Sequence, residues 1–347
     1  MYIKKILLVI SLLGIVGLGI FSYYIYNTIF GPNTSFDAET QSVYIKTEST
    51  YNDVLKELQP HIKDLKNFDM IAQKKGYHNY IKPGHYVLQK GMNNNEIINT
   101  LRSENIPVKV VFNNQERLEN LAGRIATQIE ADSLSLLQAF KDGAFLAENG
   151  FEQETALAMY IPNQYEFYWN TSAEEFRERM LTEYQRFWTE NRKAKAKKHN
   201  LTPQEVSVVA SIVQKETAKV DERKRVAGVY MNRYKNGWKL DADPTVIYAL
   251  KRNLNNFDTI IKRVLYKDLT INSPYNTYLY KDLPPGPIAM PDISSINAVL
   301  DYENHNYFYF VANPEKPGYH MFANTLAQHN VNKQKYVAWI NKMGINR

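Results

Sequence analysis

The run from Ile6 to Tyr26 carries no charged residue and directly follows Lys4-Lys5. A helix over that run rises about 31 Å, close to the thickness of a bilayer core. The two lysines favour a cytoplasmic N-terminus, and Tyr23, Tyr24 and Tyr26 then fall in the outer interfacial belt. The alternative is a cleaved signal peptide. Gly17-Leu18-Gly19 is the one small-x-small candidate there, and Ile20-Phe21 continue the apolar run past it. The expectation is a single-pass anchor in a bacterial cytoplasmic membrane, with the cytoplasmic tail at 1–5, the span at 6–27 and everything beyond residue 30 extracytoplasmic.

The remaining length suffices for two domains with substantial cores. A net charge of +6 suits anionic polymers or membrane surfaces. No helix-turn-helix, finger or RNP-like motif accompanies it, so no nucleic-acid partner is expected. The absence of cysteine excludes disulfides, thiolate metal sites, cysteine nucleophiles and a lipoprotein anchor.

The pattern predicts an α+β chain. A polar linker at 28–41 leads to a small module at 42–105, and 106–347 forms a larger mixed domain. In the module, Ser42 to Thr47 alternates like a strand, and Tyr51 to Leu58 and Lys63 to Lys75 read as helices. His85 to Leu88 reads as a strand after the Pro83-Gly84 turn, and Asn95 to Leu101 as a helix. Beyond it come a strand at Val108 to Phe112 and helices near Glu116 to Ile129 and Leu134 to Lys141. One long helix, capped by Ser172, ends in the basic run 192–198. Helices from Glu222 to Tyr234 and from Thr325 to Ile340, with a strand at Tyr307 to Val311, complete the pattern. Asp243 is expected to cap a further short helix that starts at Pro244.

One carboxylate breaks an apolar stripe. Thr202 as N-cap, Pro203 at N1 and Glu205 at N3 start a helix that continues through Val206 to Glu216. At 100° per residue, Glu216 falls nearly in line with Val209 and between Ile212 and Val213. Lost solvation of its charged form raises its pKa, as a general acid needs. The alternative is a buried carboxylate paired with a core arginine, and Arg233 is placed to supply it. Other chemistries have less support. The seven histidines form no HExxH or similar helical pair, so no metal is expected. There is no G-x-S-x-G elbow and no glycine-rich phosphate loop.

The segment Ala210-Ser211-Ile212-Val213-Gln214-Lys215-Glu216-Thr217 resembles the active-site helix of the endolytic murein transglycosylases, the YceG-like family. The likeness continues in order through residues 226–233, 240–248, 273–278 and 283–288. It ends with 307–311, His320-Met321-Phe322 and His329-Asn330. It implies a LysM-like, glycan-binding β-α-α-β module and an anchored lyase with no cofactor. It also implies endolytic cleavage between N-acetylmuramic acid and N-acetylglucosamine, leaving 1,6-anhydro ends and limiting strand length. The partners implied are peptidoglycan strands, the membrane and the peptidoglycan synthases (penicillin-binding proteins). The family's catalytic glutamate maps onto Glu216. Asn232, Arg233, Asp243, Asn276 and Tyr278 are candidates to line the substrate groove. Three places depart from the family pattern: Asn113-Asn114-Gln115 replaces a Pro-Glu-Gly-like turn, residues 159–166 match in part, and Gln214 replaces a residue that is often acidic. The rival activities are a hydrolytic muramidase, for which Asp243 is the tempting second carboxylate, and a wall-binding anchor without catalysis.

Overall fold

The structure is a computed structural model that describes residues 2–103 and 105–343. The first residue of the expected cytoplasmic tail, Glu104 of the expected module and the last four residues of the expected C-terminal domain lie outside them.

Helix α1 runs from Tyr2 to Phe30. Its apolar side chains face outward, with Leu13 and Leu18 each 66% exposed. At 29 residues it is, among the described residues, the one helix long and apolar enough to cross a membrane. It exceeds the expected span at both ends, because neither Lys4-Lys5 nor Asn27-Thr28 carries a helix-breaking residue; Gly31-Pro32 does.

The chain divides into two compact units. The first comprises residues 1–110, 128–131 and 165–172, and the second comprises the rest. In the first, β1 (Thr40–Ile45) pairs antiparallel with β2 (Gly84–Gln89), Val43 opposite Tyr86. Between them lie α2 (Tyr51–Leu58) and α3 (Leu65–Lys74), and α4 (Asn94–Ser103) follows. The β-α-α-β order is therefore as expected. Thr50 and Asp53 form a capping box on α2, and Asp64 caps α3. Strand alternation and helical periodicity put Val43, Ile45, Val54, Leu58, Phe68, Tyr86, Leu88 and Ile97 into one core. The expected linker at 28–41 is not a free tether. Asn33 donates to Asn94 Oδ1 at 2.6 Å, Asn94 donates to the Thr28 carbonyl at 2.7 Å, and Asn33 and Thr34 are buried. Buried amides need such partners, and these residues supply them to one another.

Strand β3 (Val108–Phe112) is followed by α5 (Leu118–Ala126), α6 (Ser133–Phe140) and α7 (Gly143–Glu148). Strand β4 (Asn163–Phe167) pairs with β3. The single long helix expected after Ser172 is two helices, α8 (Ala173–Phe187) and α9 (Glu190–Lys198). The break sits at Trp188, which is buried, and at Thr189, whose hydroxyl accepts from the Arg192 amide and starts α9. A local N-cap overrides a continuous helical pattern there.

Helix α10 (Pro203–Glu216) is the axis of the second unit. All eight residues from Val206 to Val213 are buried, including Ser207 and Ser211. It packs against α11 (Arg223–Lys235), α12 (Asp243–Asn253) and α13 (Ile293–Leu300). Each serine hydroxyl bonds a carbonyl one turn back, at 3.1 Å to Pro203 and 2.7 Å to Val208. Ser211 also accepts from the Ile288 amide at 3.0 Å and so holds the proline-rich loop. Truncating a fully buried residue here, such as Ile212→Ala, should cost about 2–5 kcal/mol. The hairpin of β5 (Tyr309–Ala312) and β6 (His320–Ala323) and helix α14 (Leu326–Lys342) complete the unit. Gly228 lets α11 approach the 303–305 segment: a Cβ there would lie 2.5 Å from the Glu303 carbonyl oxygen.

Candidate active site

Glu216 is the last residue of α10; Thr217 turns extended and the chain leaves the helix. The hydrophobic face that buries Val209, Ile212 and Val213 carries the carboxyl toward α11. There the Tyr230 hydroxyl donates to Glu216 Oε1 at 2.6 Å. The residue is half-buried, yet the protein around its carboxyl removes enough water to push its pKa from 4.5 to about 7. Desolvation is the dominant cause. The Tyr230 hydrogen bond opposes it, the negative charge of Asp243 adds to it, and His320 and Arg233 oppose it weakly. Glu216 also stands at the negative end of the helix dipole, which disfavours its ionised form. A carboxylic acid that is half protonated near pH 7 can donate a proton and take one back.

Tyr230 is buried, its ring set edge-on to Phe310 at 6.0 Å. Burial raises its pKa well above 10, and the neighbouring Glu216 charge raises it further. It is therefore a hydrogen-bond donor throughout the physiological range. Its place on the inner stripe of α11, one turn after Val226, is visible in the sequence; its partner is not. A tyrosine on a buried stripe must find a polar contact for its hydroxyl, and that was the available signal.

Arg233 does not ion-pair with Glu216. Its Nε donates to the Phe308 carbonyl at 2.7 Å, and its guanidinium also donates to the Leu240 carbonyl at 2.6 Å, with Asp241 at 3.5 Å. It ties the residue preceding β5 to the loop before α12. The expected pairing fails because two backbone carbonyls match the planar fork of donors better than one distant carboxylate. Asn232, one residue earlier, donates to the carbonyls of His305 at 2.8 Å and Tyr307 at 3.0 Å.

Asp243 is not the cap of α12. Ala242 occupies that position, and Asp243 begins the helix with its side chain exposed. Its carboxylate accepts instead from the Tyr278 hydroxyl at 2.7 Å, and its charge is felt at Glu216. Asn276 is fully buried. Its amide donates to the carbonyls of Leu269 and Ile271, and its oxygen accepts from the Tyr278 amide at 3.0 Å. Asn276 thus shapes the loop that presents Tyr278 to Asp243.

The support behind Glu216 comes from residues without a recognisable spacing. Glu222 accepts from the His320 ring at 2.7 Å, from the His320 amide at 2.8 Å and from Thr217 at 3.2 Å. Burial works to raise its pKa, but these donors outweigh it and hold Glu222 below 4.5. Arg223 bridges the Thr217 carbonyl to Asp292 and Ser294. Gln214 accepts from the Asp292 amide and from Ser295 and donates to the Met290 carbonyl at 3.5 Å, while Asn114 donates to Met290 and Asp292. Two of the departures noted in the sequence, Gln214 and Asn114, therefore meet at one turn, where an amide can donate and accept at once. Among the described residues, no three His, Asp or Glu side chains converge as metal ligands.

A family model described as the YceG-like family matches residues 43–335. An endolytic murein transglycosylase of Bacillus subtilis is 29% identical over 299 residues, which cover 79% of this chain and 80% of that protein. One of Streptococcus pneumoniae serotype 2 is 26% identical over 298 residues, covering 78% of this chain and 53% of that protein. The chain thus spans about half the length of the streptococcal relative. A crystal structure described as a yceG-like protein from Listeria monocytogenes superposes with a TM-score of 0.57 at 27% identity, covering 84% of this chain and 98% of that one.

Proposed function

The chain belongs to the YceG-like family, and from that premise we propose that it is an endolytic murein transglycosylase anchored in the membrane by α1. The substrate is the peptidoglycan glycan strand, cut between N-acetylmuramic acid and N-acetylglucosamine. The β-α-α-β module serves as a LysM-like glycan binder that keeps a strand close to the enzyme. Anchored this way, the enzyme meets strands as synthases extend them.

One observation carries the chemistry: Glu216 has its pKa lifted to about 7 and is held in place by the Tyr230 hydroxyl. Protonated Glu216 gives its proton to the glycosidic oxygen as the bond to C1 of the muramic residue breaks. The resulting carboxylate takes the proton of the 6-hydroxyl of that same residue, whose oxygen bonds to C1. The products are a strand with a free 4-hydroxyl on N-acetylglucosamine and a strand with a 1,6-anhydro ring, and no water is consumed. Intramolecular attack draws on fixed proximity, so a nucleophilic carboxylate is not required. Asp243 and Tyr278 are assigned to the groove as a hydrogen-bonded pair beside Glu216. Arg233 and Asn232 line it with the outer faces of side chains whose polar ends fix its walls, and the wholly buried Asn276 supports it from behind by holding the Tyr278 loop.

The charge of Asp243 at Glu216 is also what a hydrolase would use, with the second carboxylate activating water. Mass spectrometry of products from purified glycan strands separates the two, since anhydro ends are lighter than reducing ends by one water. Anhydro ends that vanish in Glu216→Gln are the expected result. Reducing ends in their place would make the protein a muramidase, and intact strands would leave it a wall-binding anchor.

A further inference from the structure

The second unit contains a cavity of about 360 Å³ that the reaction above does not use. It lies between the start of α5, the end of α12 and the Tyr275 loop. Tyr248, Tyr275 and Phe257 give it aromatic walls. Two guanidinium groups lie on those rings, Arg117 at 4.7 Å from the Phe257 centroid and Arg252 at 4.8 Å from that of Tyr275. Among the described residues, neither arginine has a carboxylate within ion-pair distance; Arg117 donates to Asn120 and its charge is felt at Glu119, while Arg252 acts on the Tyr248 and Tyr275 hydroxyls. Lys141 and Glu119, also at the rim, neutralise each other. Glu154 forms no side-chain hydrogen bond or ion pair among the described residues, yet its charge is felt at Tyr275. Its backbone is fixed by contact with Gly286, where a Cβ would overlap the Glu154 carbonyl oxygen at 1.9 Å.

The cavity therefore presents two cations with no carboxylate at ion-pair distance, and one carboxylate with no cation at that distance, around aromatic walls. Its volume lies within the range of about 300–1,000 Å³ usual for small-ligand sites. We infer that it binds a short peptide carrying two carboxylates and one ammonium group, the peptide stem of the wall strand. The stem assignment rests on the function proposed above. Arg117 and Arg252 take the carboxylates, Glu154 takes the amine, and the aromatic rings cover the aliphatic parts. Tyr248 also lines a smaller cavity of about 190 Å³ bordered by Lys215 and Pro244. Lys215 and Pro244 belong to α10 and α12, the helices that also carry Glu216 and Asp243, so the two cavities and the acid are built on the same elements.

The test uses the full-length protein in lipid nanodiscs. The probe is a synthetic tetrapeptide with a lysine side chain, an internal glutamate carboxylate and a free C-terminus, titrated calorimetrically. Wild type should bind it, and Arg117→Gln combined with Arg252→Gln should weaken binding roughly ten- to a hundredfold, as loss of charged hydrogen bonds does. Glu154→Gln, at an exposed position, should weaken binding of the free amine but not of its acetylated form, which keeps the test available if the double variant does not fold. In parallel, strand cleavage is measured with stems present and with stems removed enzymatically. Wild type should show a lower KM for stemmed strands, and the double variant should treat both alike while keeping the wild-type rate on stripped ones. Cleavage of strands without stem preference and without peptide binding would overturn the site and leave the enzyme. Peptide binding without cleavage of either strand would overturn the enzyme and leave the site.

Discussion

The Tyr230 hydroxyl and Glu216 Oε1 meet at 2.6 Å from two different helices, α11 and α10. The bond holds the carboxyl in one orientation, and it favours the ionised form against the burial that opposes it. The acidity of Glu216 is thus a balance between a dry setting and one strong donor.

Replacing the carboxyl removes the chemistry and little else. Glu216→Gln keeps the volume and still accepts from Tyr230. Strand cleavage should fall roughly 10²–10⁴-fold, the usual contribution of acid–base catalysis, while the thermal unfolding midpoint does not fall. Rate and midpoint are measured on the same preparation; a variant that cuts at the wild-type rate would exclude Glu216 as the acid.

Two substitutions should move the pH profile in opposite directions. Tyr230→Phe removes a bond that lowers the Glu216 pKa, so the loss of kcat/KM on the alkaline side should shift above its wild-type position near pH 7. Asp243→Asn removes a negative charge that raises it, so the same limb should shift to lower pH. The Asn oxygen can still accept from Tyr278. Profiles of kcat/KM against pH, both variants beside wild type, check the signs.

Stability should carry the imprint of two carboxyls with opposite sign. Glu216 has a folded pKa near 7, above its unfolded value of 4.5. The folded state therefore holds the extra proton between those values, and Glu216 makes the protein less stable as pH rises from 4.5 to 7. The full effect is on the order of 1–3 kcal/mol. Glu222 has its pKa depressed by His320 and Thr217, so its contribution is present above pH 4.5 and is lost as pH falls through its folded value. Urea unfolding at pH 5.5 and 8 should show Glu216→Gln gaining on wild type at the higher pH, and Glu222→Gln losing at both.

Arg233→Lys should separate architecture from charge. The ammonium keeps the positive charge but cannot bridge the Phe308 and Leu240 carbonyls in the same geometry. We expect a loss of about 1–3 kcal/mol in urea unfolding with little change in the pH limb. A large pH shift without destabilisation would place Arg233 in the acid's electrostatics and not in the frame.

Local chemistry was readable from the residues alone. The uncharged run after Lys4-Lys5 forms α1, Thr202-Pro203-Gln204-Glu205 starts α10 where expected, and the 3.6-residue period puts Glu216 on the dry face. The β-α-α-β order of the small module follows from strand alternation and from the caps at Thr50 and Asp64. These features depend on contacts within a few residues, so spacing encodes them. Tertiary structure decided the rest. Tyr230 is fourteen residues from Glu216, His320 is ninety-eight from Glu222, and Tyr278 is thirty-five from Asp243. Short elements such as β6, with four residues, and α13, with eight, span too few periods to stand out, and the Asp243 carboxylate is engaged by a tyrosine hydroxyl from a distant loop, not by the helix start. The position of the acid is a matter of local period; its acidity depends on which distant groups the fold brings against it, and no spacing rule records that.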